Sequence, residues 1–300
     1  MKHVRKKPAP DLIISAYTRV FDALWVGTGF AKKDMLKQEE IFDMSLEYAP
    51  RGLVGMLTPQ ANTTVEPEFN LLWPPGVAMI NARLMSDKGT ISARLVDYFA
   101  NYSASLRQFA NAPVGVVAAA CTGASYLAGR EREASLAQDL TAQNGYPFMT
   151  AALAVVDALT VLKAVRIGLV SPYPDDLNRA SIAYWQSHDL DVVEVANVFN
   201  AESAFHPIYS LAGSHATQAL RSLERKPLDA IVMLGTGMPT LAPIASAIGW
   251  AGAPVMSCNL CLAWRAVEAL DRQAPRASTL QSWLRGEGWV DQLKARLTFG

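Results

Sequence analysis

The chain has 300 residues, of which 51% are hydrophobic and 18% are charged, and its formal net charge is zero. This composition is sufficient for a packed core in one large domain or two of ordinary size, and it gives no electrostatic footprint for nucleic acid. No apolar run is long enough to span a membrane. The basic residues at the start are followed by prolines and not by the apolar stretch of a signal peptide, and three cysteines, an odd number, argue against a secreted disulfide framework. We therefore expect a cytoplasmic protein that binds neither nucleic acid nor membranes.

Residues 1–50 precede the patterned part of the chain and are predicted to form an N-terminal extension with one helix. The apolar positions of residues 34–44 have helical spacing. We interpret this extension as a cover for part of the core or as a subunit contact. The second interpretation is compatible with a homo-oligomer.

A short pattern occurs twice in the rest of the chain. The apolar run that ends at Thr58 is repeated at Ser171, 113 positions later, and the run before Cys121 is repeated before Gly235, 114 positions later. Each copy is an apolar run of strand length followed by a turn of small and hydroxylated residues. The repetition predicts a duplicated α/β fold with a cleft between its halves.

The predicted elements alternate between strands and helices of a length typical of parallel sheets. We place a first α/β half at 51–165, a second at 166–270 and a helical segment at 271–300. The first predicted strand begins at residue 53, and further strands are predicted over 114–120, 166–171, 191–195, 229–234 and 254–257. Helices are predicted over 90–110, from about 126, over 150–164, from after 176 through 185, and over 214–224. The expected fold class is two pseudo-symmetric, parallel-sheet, flavodoxin-like halves with the active site between them.

Ligands in parallel α/β sheets bind beyond the carboxyl ends of the strands. Four segments meet that condition, and their backbone N–H groups at helix starts suit an anion such as a carboxylate: 58–64, 121–125, 171–176 and 235–240. Cys121 lies where a helix N-terminus is expected to lower the pKa of a thiol. The alternative is that Cys121 is a small buried packing residue.

The other chemistry-bearing residues give weaker patterns. Cys258 and Cys261 have C-x-x-C spacing, but no thioredoxin-like unit precedes them and no second pair completes a zinc site, so we favour packing roles. The four histidines have no metal-ligand spacing, and Gly-rich phosphate motifs are absent. We expect neither a metal nor a nucleotide cofactor.

Four segments in order resemble the aspartate/glutamate racemase superfamily, and within it the maleate cis-trans isomerase and arylmalonate decarboxylase branch. The resemblance covers roughly residues 51–270 and is carried by residues 59–66, 120–123, 171–173 and 237–241. It implies two α/β halves, a small carboxylic or dicarboxylic acid between them, no cofactor, and chemistry at the carbon next to a carboxylate.

The resemblance also assigns site residues. Cys121 matches the first catalytic cysteine, Asn62 a carboxylate-binding asparagine and Tyr173 a tyrosine that holds the substrate. Asn200 and Asn259 are similar to further asparagines that approach the site. The remaining expected substrate-binding residues lie in two corresponding turns: Thr122 and Gly123 follow Cys121 in the first half, and Gly235 and Thr236 lie in the second.

Gly235 departs from the two-cysteine pattern of the superfamily. Two-base racemisation needs a proton donor and an acceptor on opposite faces of the substrate, and Gly235 supplies neither. Arylmalonate decarboxylases also use one cysteine, but in the second half, so this chain has the mirror arrangement. Cys258 and Cys261 are the candidates to replace the missing thiol.

The sequence therefore predicts a cofactor-independent, single-cysteine enzyme with chemistry like that of maleate isomerases. Two alternatives stay open: a malonate-type decarboxylase with an inverted Cys/Gly arrangement, and a non-catalytic carboxylate-binding protein whose ligand binding survives thiol alkylation.

Overall fold

The computed structural model describes residues 46–199 and 207–298, and this part of the chain contains two parallel four-stranded sheets. The first has the order β2-β1-β3-β4 and the second the order β6-β5-β7-β8. The strands are β1 (Gly52–Pro59), β2 (Val77–Leu84), β3 (Val114–Ala119), β4 (Phe148–Thr150), β5 (Arg166–Ser171), β6 (Asp191–Asn197), β7 (Ala230–Met233) and β8 (Val255–Ser257). The shared order and the parallel pairing confirm the predicted pseudo-symmetric α/β fold class.

The central strands are buried on both faces, as their unbroken apolar sequences predict. Every residue of β1 after Gly52 is buried, and so is every residue of β7. Helices cover both faces of a parallel sheet, so its inner strands show no alternation of apolar and polar residues.

The helices of the first half connect its strands and place α4 directly after β3. They are α1 (Val65–Leu72), α2 (Ile91–Ala100), α3 (Tyr102–Leu106), α4 (Thr122–Ala128), α5 (Arg130–Asn144) and α6 (Ala151–Leu162). The segment predicted as one helix over 90–110 is helical but interrupted, because α2 ends at Ala100 and the side-chain amide of the following Asn101 donates to the carbonyl of Asp97 at 2.8 Å. A short 3₁₀ turn, Arg107–Phe109, completes the segment.

The helices of the second half and of the C-terminal segment include one that packs against the first half. They are α7 (Asp175–Ser187), α8 (Gly213–Leu223), α9 (Leu241–Ala247), α10 (Cys258–Leu270), α11 (Ala277–Leu284) and α12 (Val290–Leu297). In α10, every residue but Leu270 is buried, and the helix contacts α6, β3 and α1. Arg265 of α10 donates to Asp157 of α6 at 2.8 Å. A helix that is buried all round is a core element, and α10 thereby fixes one half against the other.

Several predictions differ from the structure or lie outside it. Strands β2 and β4 have no counterpart among the predicted elements, since β2 is rich in residues that favour helices and β4 has only three residues. The helix predicted over 34–44 and the candidate Asn200 lie outside the described residues. None of the helices in the described ranges has both the length and the apolar character needed to cross a membrane.

Candidate active site

A cavity of about 50 Å³ lies where the segments after β1, β3, β5 and β7 meet. All four segments predicted at strand ends contribute to it. The lining residues are Pro59, Gln60, Ala61, Asn62, Ile91, Arg94, Leu95, Tyr98, Cys121, Thr122, Gly123, Tyr173, Ile208, Tyr209, Gly235, Thr236 and Gly237. The structure thus brings seven of the nine predicted site residues to one cavity.

Cys121 is the only thiol among the described lining residues. It follows β3 and immediately precedes α4. Burial raises the pKa of the Cys121 thiol to about 12, although the Ala124 N–H acts in the opposite direction. The expected lowering of this pKa is therefore wrong, because one turn of a short helix offsets only part of the cost of removing a thiolate from water.

Gly235 occupies the corresponding position after β7. Its φ is +80°, and a Cβ atom there would lie 3.0 Å from Pro172 Cγ and 3.3 Å from the Tyr173 hydroxyl oxygen. The second half thus contributes no side chain at the position that corresponds to Cys121, and the Tyr173 hydroxyl group lies next to the space that such a side chain would occupy.

The oxygen and the nitrogen of the Asn62 side-chain amide have different roles. Its Oδ1 accepts hydrogen bonds from the backbone N–H groups of Thr64 at 2.9 Å and Val65 at 3.0 Å, which organises the turn before α1. Its Nδ2 donates to Thr236 Oγ1 over a longer 3.3 Å. The amide group is therefore held by its oxygen, while its N–H donors lie at the cavity.

Hydroxyl groups connect the two halves around the cavity. Thr122 and Tyr173 share a hydrogen bond of 3.0 Å between their hydroxyl oxygens. Thr236 donates to the carbonyl of Ala120 at 2.7 Å, and Thr64 donates to the carbonyl of Gly237 at 2.7 Å. These contacts fix the turns that contain Cys121 and Gly235 relative to one another.

Asn259 does not line the cavity but supports it. Its Nδ2 donates to Glu68 at 2.7 Å and to the carbonyl of Thr236 at 3.1 Å. Glu68 is buried in α1 and also accepts from the backbone N–H groups of Thr240 and Leu241, at 2.5 Å and 3.1 Å. Burial raises the pKa of the Glu68 carboxyl group, and these donors oppose the rise.

Cys258 and Cys261 are fully buried in α10, as the packing interpretation predicts. Neither lines the cavity. Cys258 lies behind the Gly235 turn, where the Thr122 hydroxyl and the Gly235 N–H partly offset a burial that raises the pKa of its thiol to about 12. No disulfide links the three cysteines.

Sequence reasoning missed several residues of the site. Glu68 lies in the first turn of α1, where an acidic residue is ordinarily explained by the helix dipole. Arg94 occupies a polar position of an amphipathic helix, which is typical of a solvated face, and the lining residues Tyr98 and Tyr209 belong to no motif. Within residues 46–199 and 207–298 no group of His, Cys, Asp and Glu side chains is arranged to hold a metal ion.

Known proteins that are similar to this chain include maleate isomerases. The chain is 28% identical over 255 residues to maleate isomerase from Pseudomonas putida, a match that covers 76% of this chain and 96% of that protein. The structure of a Nocardia farcinica maleate cis-trans isomerase variant with a covalently bound succinylcysteine intermediate has a TM-score of 0.65 and 24% identity, covering 73% of this chain and 93% of that one.

Arylmalonate decarboxylase has the same fold. A double variant in which a glycine is replaced by cysteine and a cysteine by serine, in a liganded form, has a TM-score of 0.61 and 22% identity, with 73% of this chain and 92% of that one covered. The arylmalonate decarboxylase family model matches residues 54–295. The resemblance seen in the motifs is confirmed: the chain belongs to the arylmalonate decarboxylase family, in the aspartate/glutamate racemase superfamily.

Proposed function

We propose that this chain catalyses the cis–trans isomerisation of a small unsaturated dicarboxylic acid such as maleate, with Cys121 as the nucleophile. The observation that supports this most is the position of Cys121, a single thiol in a cavity lined by the turns that follow four parallel strands. The maleate isomerase from Pseudomonas putida matches over almost its whole length. The Nocardia farcinica relative was captured with a covalently bound succinylcysteine, in which a cysteine is bonded to a four-carbon dicarboxylate.

The chemistry needs only one thiol. The sulfur of Cys121 adds to one carbon of the double bond, the π electrons move into the adjacent carboxylate, and the thiol proton is held on an oxygen of the resulting enediol. The bond between the two central carbons is now single and can rotate. Elimination then breaks the C–S bond, restores the double bond in the trans geometry and returns the proton to sulfur. Gly235 is compatible with this sequence, because no second acid or base acts on carbon.

Asn62, Thr122 and Tyr173 are positioned to hold a substrate carboxylate. The Nδ2 of Asn62 makes a long hydrogen bond to Thr236 that an anion can replace. The hydroxyl groups of Thr122 and Tyr173 are hydrogen-bonded to each other, and both residues line the cavity beside Cys121. Hydrogen bonds to charged groups contribute about 1.5–3 kcal/mol each.

Decarboxylation of a malonate is the second candidate, and the high pKa of Cys121 favours it. A thiol with a pKa of about 12 is neutral at pH 7 and therefore able to donate a proton. In this reaction carbon dioxide leaves, the electron pair enters the remaining carboxylate as an enediolate, and Cys121 protonates the carbon.

Product analysis by NMR in deuterated water separates the candidates. We expect maleate to give fumarate without deuterium on carbon, because no proton is transferred to carbon. Release of carbon dioxide from phenylmalonate, with one deuterium on the α-carbon of the product, would favour the decarboxylase. Ligand binding that survives alkylation of Cys121, without turnover of either compound, would indicate a non-catalytic binding protein.

A further inference from the structure

We infer that Arg94 binds the second carboxylate of the substrate and so makes the site selective for dicarboxylates over monocarboxylates of the same shape. This inference rests on the proposed function, in which Asn62, Thr122 and Tyr173 hold the first carboxylate next to Cys121.

Arg94 is part of the cavity wall and not of the outer surface alone. It lies in the first turn of α2, is partly buried, and lines the same cavity as Cys121. Tyr98 follows one helical turn later and lines the cavity as well, as residues four positions apart share a helix face. The helix is held in place because α2 packs against α4, which begins immediately after Cys121.

Arg94 is the only residue with a formal charge at neutral pH among the described lining residues, which include no Asp, Glu, Lys or His. No carboxylate pairs with its guanidinium anywhere in the described ranges. Other arginines that are withdrawn from solvent are paired: the partly buried Arg83 with Glu66, and the buried Arg265 with Asp157. A partly desolvated guanidinium without a counterion is a strong donor site for a carboxylate.

The charge of Arg94 acts on the cavity itself. Burial raises the pKa of the hydroxyl groups of Tyr98 and Tyr209, and the Arg94 guanidinium opposes this rise at both residues. The positive potential therefore extends over two further lining side chains. An anionic group of a ligand in the cavity lies in the same potential.

The test compares two ligands that differ in one group. Maleate and cis-2-butenoate have the same cis double bond and one carboxylate in common, and a methyl group in cis-2-butenoate replaces the second carboxylate of maleate. Calorimetric titrations use the Cys121→Ser variant, so that no turnover occurs, and are repeated with Arg94→Gln or Arg94→Lys added. Arg107→Gln is the matched control, because Arg107 is exposed and does not line the cavity.

We expect Arg94→Gln to weaken maleate binding roughly 10–100-fold, the range that corresponds to a lost hydrogen bond to a charged group. Binding of cis-2-butenoate should change little, Arg94→Lys should retain part of the preference, and Arg107→Gln should retain all of it. An unchanged preference for maleate in Arg94→Gln, or no maleate binding before Arg94 is altered, would overturn the inference.

The two proposals fail in different ways. If the preference depends on Arg94 but the enzyme with Cys121 does not isomerise maleate, the dicarboxylate site stands and the proposed reaction is wrong. If maleate is isomerised and the preference survives Arg94→Gln, the reaction stands and the assignment of Arg94 is wrong.

Discussion

A side chain at position 235 is expected to destabilise the protein and to move the Tyr173 hydroxyl. At the φ of +80° observed for Gly235, an L-residue costs about 1–2 kcal/mol. The Cβ atom of alanine would lie 3.0 Å from Pro172 Cγ and 3.3 Å from the Tyr173 hydroxyl oxygen, which adds about 1 kcal/mol of overpacking. We therefore expect Gly235→Ala to lower the free energy of unfolding by about 2–3 kcal/mol.

Gly249→Ala is the control for backbone strain alone. Gly249 has a φ of +79°, and a Cβ atom there would meet nothing within 4 Å. Urea denaturation of both variants should show Gly249→Ala to be about 1 kcal/mol less destabilising than Gly235→Ala, and Gly249→Ala should keep full activity. Equal losses of stability would refute the crowding argument, and normal kinetics in Gly235→Ala would refute the role given to the Tyr173 hydroxyl.

Three further predictions concern the thiol and the carboxylate site. Iodoacetamide should modify Cys121 faster than Cys258 or Cys261, because Cys121 alone of the three lines the cavity. The modification rate should keep rising past pH 10, since a thiol with a pKa of about 12 is still mostly protonated there. A plateau near pH 8.5 would contradict the raised pKa. Asn62→Asp keeps the oxygen that accepts from Thr64 and Val65 but loses the Nδ2 donor, so we expect near-normal stability with at least a roughly tenfold lower kcat/KM. Asn62→Ala should show the same kinetic loss and also lose about 1 kcal/mol of stability. Equal kinetics in both variants and the parent would place the carboxylate elsewhere. If the chain protonates a prochiral substrate, Cys121→Gly combined with Gly235→Cys should reverse the product enantiomer at a reduced rate, as measured by chiral chromatography, and an unchanged enantiomer would show that the cysteine is not the proton donor.

The position of the site could be predicted because it follows from a rule about strand ends. The apolar runs before Thr58, Cys121, Ser171 and Gly235 are buried on both faces in the structure, and parallel strands end at one edge of their sheet. The 114-residue offset between Cys121 and Gly235 therefore predicted two corresponding turns, and both line the cavity.

The electrostatics of the site could not be predicted, because they depend on packing between distant segments. The position of Cys121 before a helix suggested a low pKa, but burial in the folded structure raises the pKa of its thiol. Glu68 and Arg94 lie at helix positions where charged residues are usually solvated. Only the tertiary structure places Glu68 beside Thr240 and Asn259, and Arg94 in the wall of the cavity.

The central claim is that Cys121 forms the bond to the substrate carbon, and a comparison of two cysteine variants tests it most directly. Cys121→Ser and Cys261→Ser make the same chemical change at two buried cysteines, of which only Cys121 lines the cavity. With maleate as substrate, we expect Cys121→Ser to lose several orders of magnitude in kcat and Cys261→Ser to retain turnover. Acid quenching and peptide mass spectrometry should find the mass of one maleic acid molecule on the Cys121 peptide of Cys261→Ser. Full turnover by Cys121→Ser, or an adduct on Cys258 instead, would contradict the account.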